Sequence, residues 1–369
     1  METIKRTNTI IDNFNLSATF TIEKGHPIRT TMHYINGCLF VLGQTYIARL
    51  CPESKEIIWE IDGLEYVNML VNVDHEVMHL RVGKSLCSMS IESGEILWAA
   101  DDGKVKEFPL KNIGDYILCR NENESGKQLI CRHKSDGRIA WKSDVFESSF
   151  SEVLTCEKSP NIAVIKARDI FSKESWYYCF NIETGDTVWE YNCNELAISQ
   201  YSGFDKNASG FSFAKVYGGR LYYGLTPGLI FAVDFNTGEH IWTYHKDTPL
   251  TPYCFIEKSG RLYFNVNQSN TRNNFLGCLD ANTGKEIFIT ENFSPEGCGV
   301  INLFGKYILG GQGPYLAFYD TEQEEFVYLY KDPEKRDIFG GVFCQHKDQL
   351  ILKSGKTIYW FDAKEIINS

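Results

Sequence analysis

Hydrophobic and polar positions alternate along this chain in short runs, which turn-forming amino acids interrupt every few residues. One stretch has four such runs in succession, at residues 211–216, 221–225, 229–234 and 240–244. Breaks that contain Gly, Asn or Thr separate them. Period-two alternation, or a short apolar run bounded by turn residues, is typical of β-strands. The stretch therefore predicts four short strands joined by tight turns.

The last of those turns belongs to a segment that the chain repeats. Residues 232–242 read Ala-Val-Asp-Phe-Asn-Thr-Gly-Glu-His-Ile-Trp, and related segments occur on both sides of it. They are spaced about 40–50 residues apart, a period typical of an array whose units bury their apolar faces against each other. Each copy ends in an aromatic residue, which is Trp59, Trp98, Trp141, Trp189, Trp242, Phe288 or Tyr328.

The number of repeats predicts the architecture. The first hairpin turn of the unit recurs eight times, although a count of seven units remains an alternative. The eighth unit ends after a third strand at 357–362, and an unmatched strand pattern at 18–22 precedes the first unit. We therefore expect an all-β fold, a single β-propeller of eight four-stranded blades whose last blade is completed by the N-terminal strand. One domain is expected over 1–369, with an N-terminal segment at 1–27 and repeats at 28–367.

The repeated segment resembles the tryptophan-docking motif of the PQQ-like β-propeller family. That motif, Ala-x-Asp-x-x-Thr-Gly-Lys/Glu-x-x-Trp, is matched at every fixed position by residues 232–242 and in part by the other copies. The family includes eight-bladed quinoprotein dehydrogenases and the propeller lipoprotein of outer-membrane protein assembly. The resemblance implies that each docking Trp packs against the Thr-Gly turn of an adjacent blade. By position this role falls to Trp59, Trp98, Trp141, Trp189 and Trp242, with Phe288 and Tyr328 as substitutes.

Composition narrows the class of partner. The chain has 369 residues, a formal net charge of −11 and no dense basic run, which argues against nucleic acid and favours a basic partner. It has neither an apolar run of 18 residues nor a secretory signal pattern, so we expect no membrane span and a cytoplasmic location. The 12 cysteines are scattered singly, which suits a reducing compartment.

One motif suggests a metal site. Residues 75–79 read His-Glu-Val-Met-His, the zinc-binding pattern of metalloproteases, which requires a helix so that both imidazoles share one face. The repeat instead predicts a turn at 74–76 and a strand at 77–82. His75 and His79 would then lie about 13 Å apart along the strand. We therefore expect no zinc site.

A quinone-dependent dehydrogenase is the enzyme that the resemblance suggests. Such relatives hold PQQ and calcium in the central funnel and often carry an adjacent cysteine pair, which this chain lacks. No calcium ligand or catalytic base can be assigned to a numbered position. The prediction is accordingly a protein without catalytic residues, metal or cofactor.

Long loops predict where a partner binds. The loops at 121–127, 168–175, 192–209 and 268–274 open on one face, whereas turns on the opposite face are short. Recognition usually resides on long loops of a rigid scaffold, although these could also be tolerated insertions. Their aromatic, Arg and acidic residues are the predicted partner-binding set: Glu122, Glu124, Arg168, Asp169, Phe171, Glu195, Tyr201, Phe204, Asp205 and Arg272.

These features together predict a non-catalytic protein-binding propeller. The most specific interpretation is a bacterial immunity protein that neutralises a basic toxin. An assembly adaptor similar to the outer-membrane lipoprotein is one alternative, and the dehydrogenase is another. The pattern leaves the identity of the partner, a ligand in the central channel and the oligomeric state open.

Overall fold

The computed structural model describes residues 15–21, 31–35, 37–65, 67, 72–73, 76–100, 106–123, 126–144, 149–168, 174–201, 211–225, 228–246, 250–268, 274–290, 300–332, 343–354 and 357–364. The chain divides into two compact units. The N-terminal unit comprises Ile22–Ser199 and Phe235–Gly238, and the C-terminal unit comprises Met1–Thr21, Gln200–Asp234 and Glu239–Ser369. The single domain over 1–369 stays a prediction.

The first strand of the C-terminal unit is β1 (Asn15–Thr21), and it pairs with the last strand of the chain. The N-terminal unit then supplies four antiparallel sheets whose strands follow each other in sequence order. These blades are β2 (Thr31–Ile35), β3 (Cys38–Leu42), β4 (Tyr46–Leu50) and β5 (Ile57–Asp62); β6 (Asn72–Val73), β7 (Val77–Val82), β8 (Ser85–Ser90) and β9 (Ile96–Ala100); β10 (Lys106–Ile113), β11 (Tyr116–Asn123), β12 (Gly126–His133) and β13 (Ile139–Lys142); β14 (Ser149–Cys156), β15 (Ser159–Arg168), β16 (Ser175–Asn181) and β17 (Thr187–Asn192). Helix α1 (Cys193–Gln200) follows the fourth blade.

The C-terminal unit supplies the other four sheets. They are β18 (Phe211–Tyr217), β19 (Arg220–Leu225), β20 (Leu229–Asp234) and β21 (His240–His245); β22 (Leu250–Lys258), β23 (Arg261–Gln268), β24 (Asn274–Asp280) and β25 (Glu286–Ile289); β26 (Val300–Phe304), β27 (Tyr307–Gln312), β28 (Tyr315–Asp320) and β29 (Glu325–Lys331); and β30 (Phe343–His346), β31 (Gln349–Ser354) and β32 (Thr357–Asp362) with β1.

The predicted fold class is confirmed. The structure has eight four-stranded blades of an all-β propeller type, so the seven-bladed alternative is wrong. β1 pairs antiparallel with β32, from Asn15 opposite Asp362 to Thr21 opposite Thr357, and so completes the eighth blade as predicted. The four strands expected in the fifth blade match β18–β21 to within one residue at either end.

The core lies in the two middle strands of each blade. β3 and β20 are almost fully buried, and their apolar runs are continuous, as is typical of strands covered on both faces. Outer strands such as β5 and β17 instead alternate between exposed and half-buried residues. In the third and fourth blades the buried cluster joins Leu118 and Leu129 to Ile165 and Phe180. Packing between successive sheets of a unit therefore buries the repeated apolar positions, while the outer edge stays accessible.

Candidate partner-binding surface

Five tryptophans dock on a following turn through the same two contacts, each within a single unit. Their indole N–H groups donate to the backbone carbonyl of the residue that follows the third strand. The pairs are Trp59–Ile91 (3.0 Å), Trp98–Lys134 (2.9 Å), Trp141–Ile182 (2.6 Å), Trp189–Phe235 (3.2 Å) and Trp242–Ala281 (3.1 Å). The rings also cover the glycine of the same turn, which is Gly94, Gly137, Gly185, Gly238 or Gly284. A Cβ at any of these glycines would lie 3.1 Å or less from the ring, so only glycine fits beneath the docked aromatic.

The sequence of the turn explains its shape. Asp280 begins one turn, and its Oδ1 accepts hydrogen bonds from the backbone N–H groups of Asn282 (3.0 Å) and Thr283 (2.8 Å). Hydrogen bonds donated by the Thr283 side chain and backbone hold the pKa of Asp280 below its ordinary value. Gly284 follows with φ of +69°, a conformation that glycine adopts without steric strain. The Asp-x-x-Thr-Gly pattern thus folds into a turn of fixed shape, on which the aromatic ring of the preceding blade packs.

The two substitutes for tryptophan differ from this arrangement. The ring of Phe288 lies 5.5 Å from that of Tyr319 and 6.4 Å from that of Tyr263, measured between centroids. At this junction Glu324 takes the position that glycine holds elsewhere, with φ of +59°. Tyr328 lies on β29, in register with Phe318.

Part of the predicted partner-binding set meets at one end of the fourth blade. Arg168 is exposed at the end of β15 and lies opposite Ser175 in the register of the sheet. The backbone N–H of Ser175 donates to Asn194 Oδ1 at 3.1 Å, which ties α1 to this edge. Glu195, the next residue of α1, is exposed. Arg168 and Glu195 therefore lie at the same end of the blade.

The connection after the fourth blade was predicted as a loop over 192–209, and this prediction is wrong for its first part, because Cys193–Gln200 forms α1. Asn192 caps the helix: its Oδ1 accepts from the backbone N–H of Asn194 at 2.9 Å and of Glu195 at 3.4 Å. The Asn-x-x-Glu spacing of residues 192–195 is a helix-start signal that sequence reasoning missed. The cap fixes where Glu195 is presented.

The remaining candidates are distributed more widely. Tyr201 is half-buried, and its ring stacks on His245 with centroids 4.0 Å apart, within the C-terminal unit. The loop predicted over 121–127 is wrong, because β11 extends to Asn123 and β12 begins at Gly126. Glu122 therefore lies on β11, opposite Lys127 on β12. The other members of the set lie outside the described residues: Glu124, Asp169, Phe171, Phe204, Asp205 and Arg272.

The zinc-like motif lies on a strand. β7 spans Val77–Val82 as predicted, and no helix forms there. His79 is fully buried, and its ring packs against Trp98 with centroids 5.7 Å apart. His75 lies outside the described residues. His79 therefore belongs to the packing between the second and third blades.

The described part of the chain offers no further group of side chains with the arrangement of a metal site. No group of three or more His, Cys, Asp or Glu side chains there is arranged to hold a metal ion. Most of the eleven cysteines in the described ranges are buried, and none of these eleven forms a disulfide. Burial raises the pKa of Cys131, Cys179 and Cys278 to about 12. No helix in these ranges has the length and apolarity that a membrane crossing requires.

Solved structures share this architecture along most of the chain. BamB from Moraxella catarrhalis gives a TM-score of 0.68 at 11% identity, covering 95% of this chain and 99% of that one. Quinohemoprotein alcohol dehydrogenase from Comamonas testosteroni gives 0.65 at 10% identity, covering 97% and 78%. A europium-containing methanol dehydrogenase gives 0.64 at 10% identity, covering 96% and 95%. At these identities the likeness shows the fold alone.

Sequence comparison is more specific. No curated protein matches the chain in sequence. Residues 113–300, more than half of the chain, match the family model described as outer membrane protein assembly factor BamB. This match confirms the resemblance to PQQ-like propellers that the repeated motif predicted. The chain therefore belongs to the BamB family of PQQ-type β-propellers.

Proposed function

We propose that this protein is a non-catalytic scaffold that binds another protein. The observation that carries the proposal is the family match, supported by the likeness to BamB over nearly the whole of both chains. By its description, BamB is an outer membrane protein assembly factor, and assembly requires contact with other proteins. Eight blades of rigid sheet present loops in fixed positions, which suits recognition.

The proposed contact surface is the loop end of the fourth blade, represented by Arg168 and Glu195 in the N-terminal unit. Tyr201 of the C-terminal unit follows α1 directly in the chain and is tested as a separate candidate. Arg and Tyr are among the residue types that contribute most to protein interfaces; here Arg168 is exposed and Tyr201 is half-buried. A formal net charge of −11 would attract a basic partner and accelerate the encounter. The binding of such a partner should weaken as salt is added, because exposed charges are screened.

The partner class that we favour is a basic toxin, which would make this protein a cytoplasmic immunity protein. The net charge and the long loop between β15, which ends at Arg168, and β16, which begins at Ser175, support this version. Assembly work similar to that of BamB is the alternative that the family description supports. Identification of the captured partner distinguishes the two alternatives. A basic toxin would support neutralisation, whereas a component of an assembly machinery would support assembly work.

Affinity capture from the native cell with the tagged full-length protein tests the surface. We expect Glu195→Lys and Tyr201→Ala each to lower recovery of the main partner about tenfold or more, the range of an interface hot spot. Glu183→Lys is the matched control: Glu183 is also exposed on the fourth blade, but in the turn at the opposite end. Equal recovery with all three variants would contradict the proposed face.

A quinone-dependent dehydrogenase is the second candidate, because two such enzymes share the fold over most of this chain. Incubation of the purified protein with PQQ and Ca²⁺, followed by dye-linked oxidation of an alcohol series, tests it. We expect no turnover above a protein-free control. Saturable turnover would overturn the non-catalytic assignment.

A further inference from the structure

The five tryptophan junctions differ in one residue of the docking turn. We call the residue whose carbonyl accepts the indole N–H the plug residue. Four plug residues are apolar and at most 7% exposed: Ile91, Ile182, Phe235 and Ala281. The fifth, between the second and third blades, is Lys134, which is half-buried.

A lysine cannot fill this space in the way that an isoleucine does. Its flexible stem ends in a charged, strongly hydrated ammonium group, whereas an isoleucine side chain is compact and apolar throughout. Ile91 and Ile182 belong to the buried clusters of their junctions. The corresponding cluster at the second junction comprises Leu86, Ile117, Cys119 and Ile130, with Trp98 packed against it.

A groove of about 660 Å³ lies beside Trp98, within the N-terminal unit. Its lining residues are Val77, Ser88, Leu97, Trp98, Asp115, His133, Lys134 and Ser135. The volume falls in the range of ligand pockets, about 300–1,000 Å³. Val77, Leu97 and Trp98 form the apolar wall, and the turn residues of the third blade form the polar wall.

The groove continues onto an accessible strand edge. β9 is the outermost strand of its sheet, so its outer backbone groups are open to an added strand. Ile96 and Leu97 on β9 are 50% and 54% exposed. An extended polypeptide can pair its main chain with such an edge and insert a side chain into an adjacent pocket.

Charge around the groove favours a basic segment. Asp115 lines it, and Glu76 immediately precedes the lining residue Val77. Glu95 precedes Ile96, and both glutamates are exposed. Against these three carboxylates stands the Lys134 ammonium, with His133 beside it. The rim is therefore acidic at neutral pH, in keeping with the net charge of the chain.

We propose that the groove between the second and third blades binds an extended segment of a partner protein. The segment inserts one large apolar side chain against Trp98. Lys or Arg residues on either side of that side chain face Glu76, Glu95 and Asp115. This site lies at the turn end of the blades, opposite the Arg168–Glu195 surface. Failure of either proposal therefore leaves the other standing.

The test uses the full-length ¹⁵N-labelled protein and blocked peptides. The probe is Lys-Val-Phe-Val-Lys; its controls replace Phe by Gly, or both Lys by Glu. The indole N–H resonance of Trp98 is followed, assigned with Trp98→Phe, and that of Trp141 serves as an internal reference because its plug is the buried Ile182. We expect a saturable shift at Trp98 alone, and about tenfold weaker binding of each control peptide.

The Lys134→Ile variant distinguishes a loss of probe binding from a loss of fold stability. It restores the plug residue of the neighbouring junctions, so we expect an unchanged or raised Tm together with at least about tenfold weaker binding of the probe. No saturable shift at millimolar probe, equal binding by Lys134→Ile, or equal binding of the control peptides would each overturn the proposal.

Discussion

The two junctions that flank the sixth blade, both within the C-terminal unit, hold successive sheets by different chemistry. At the first, Trp242 is buried, donates to the Ala281 carbonyl at 3.1 Å and covers Gly284. At the second, Phe288 has no N–H to donate, and Glu324 stands where the glycine would be.

Charge and extra rings occupy the second junction instead. Arg261 Nη2 lies 2.5 Å from Glu324 Oε1, and Phe288 packs beside Tyr319. A residue other than glycine at φ of +59° is strained, yet the ion pair holds the Glu324 side chain in place. The comparison shows that one architectural position accepts either shape-complementary docking or an ion pair with aromatic packing. The first should be sensitive to volume, and the second to salt.

Removal of the docked ring should have the largest effect. Trp242→Ala leaves a cavity and removes one of the hydrogen bonds that the Ala281 carbonyl accepts, so we expect the free energy of unfolding to fall by about 3–5 kcal/mol. Phe288→Ala should cost less, because its ring is partly exposed. Urea unfolding midpoints measure both. A larger loss for Phe288→Ala would break the ranking of the two junctions.

An added methyl group under the indole should rank second. In Gly284→Ala the new Cβ would meet Trp242 Cε3 at 2.5 Å, and alanine is strained at φ of +69°. We expect a loss of about 2–4 kcal/mol. Gly260→Ala is the control, since its φ is +75° but no atom lies within 4 Å of the added Cβ. Equal losses at both glycines would show that ring contact contributes nothing.

Alkaline pH should have the third-largest effect, because it titrates a thiol in the sixth blade that the fifth blade lacks at the same position. Cys278 occupies in the sixth blade the position that Ala232 holds in the fifth, and burial raises its pKa from 9.0 to about 12. The folded state therefore favours the protonated thiol, and this stabilisation is complete below pH 9 and is lost as pH rises towards 12. Near pH 10.5 we expect about 2 kcal/mol to be lost through this group.

Urea unfolding of the wild type and of Cys278→Ala at pH 7, 9 and 10.5 measures that loss. Above pH 9, the free energy of unfolding of Cys278→Ala should fall less steeply than that of the wild type. Tyr222 at the first junction and Tyr263 at the second both have a pKa of about 12, so their titration is common to the two proteins. Parallel pH profiles would contradict the role assigned to Cys278.

Salt should give the smallest difference. The Arg261–Glu324 pair is partly exposed, so it contributes less than about 1 kcal/mol, and raising NaCl from about 0.05 to 0.5 M should remove most of that. Glu324→Gln should abolish the salt-dependent part, whereas Lys285→Gln, on the turn of the first junction, should not. Calorimetric Tm values report the effect. An unchanged salt slope in Glu324→Gln would remove the ion pair from the comparison.

Sequence reasoning predicted the blades well because their signals are local. The run from Leu229 to Asp234 identifies a buried strand, and the Thr-Gly turn before Trp242 identifies a hairpin. The start of α1 was also predictable, because Asn192 and Glu195 have the spacing of a helix cap. It was missed because the repeat pattern predicts a loop between the fourth and fifth blades. The candidate partner face could be predicted only as a set of loops, since loop length does not specify which side chains converge.

The amino-acid order alone determined the all-β class and the repeated four-stranded unit, because strand and turn preferences act between residues close in the chain; it favoured eight blades and an N-terminal closing strand, and the sheet pairing excluded seven. Only the tertiary structure decided what lies beneath each docked ring. Lys134 and Glu324 look like ordinary turn residues in the sequence. Their effect depends on the indole or ion-pair partner that another blade brings to them from about 35–65 residues away, and such contacts exist only once the sheets have packed.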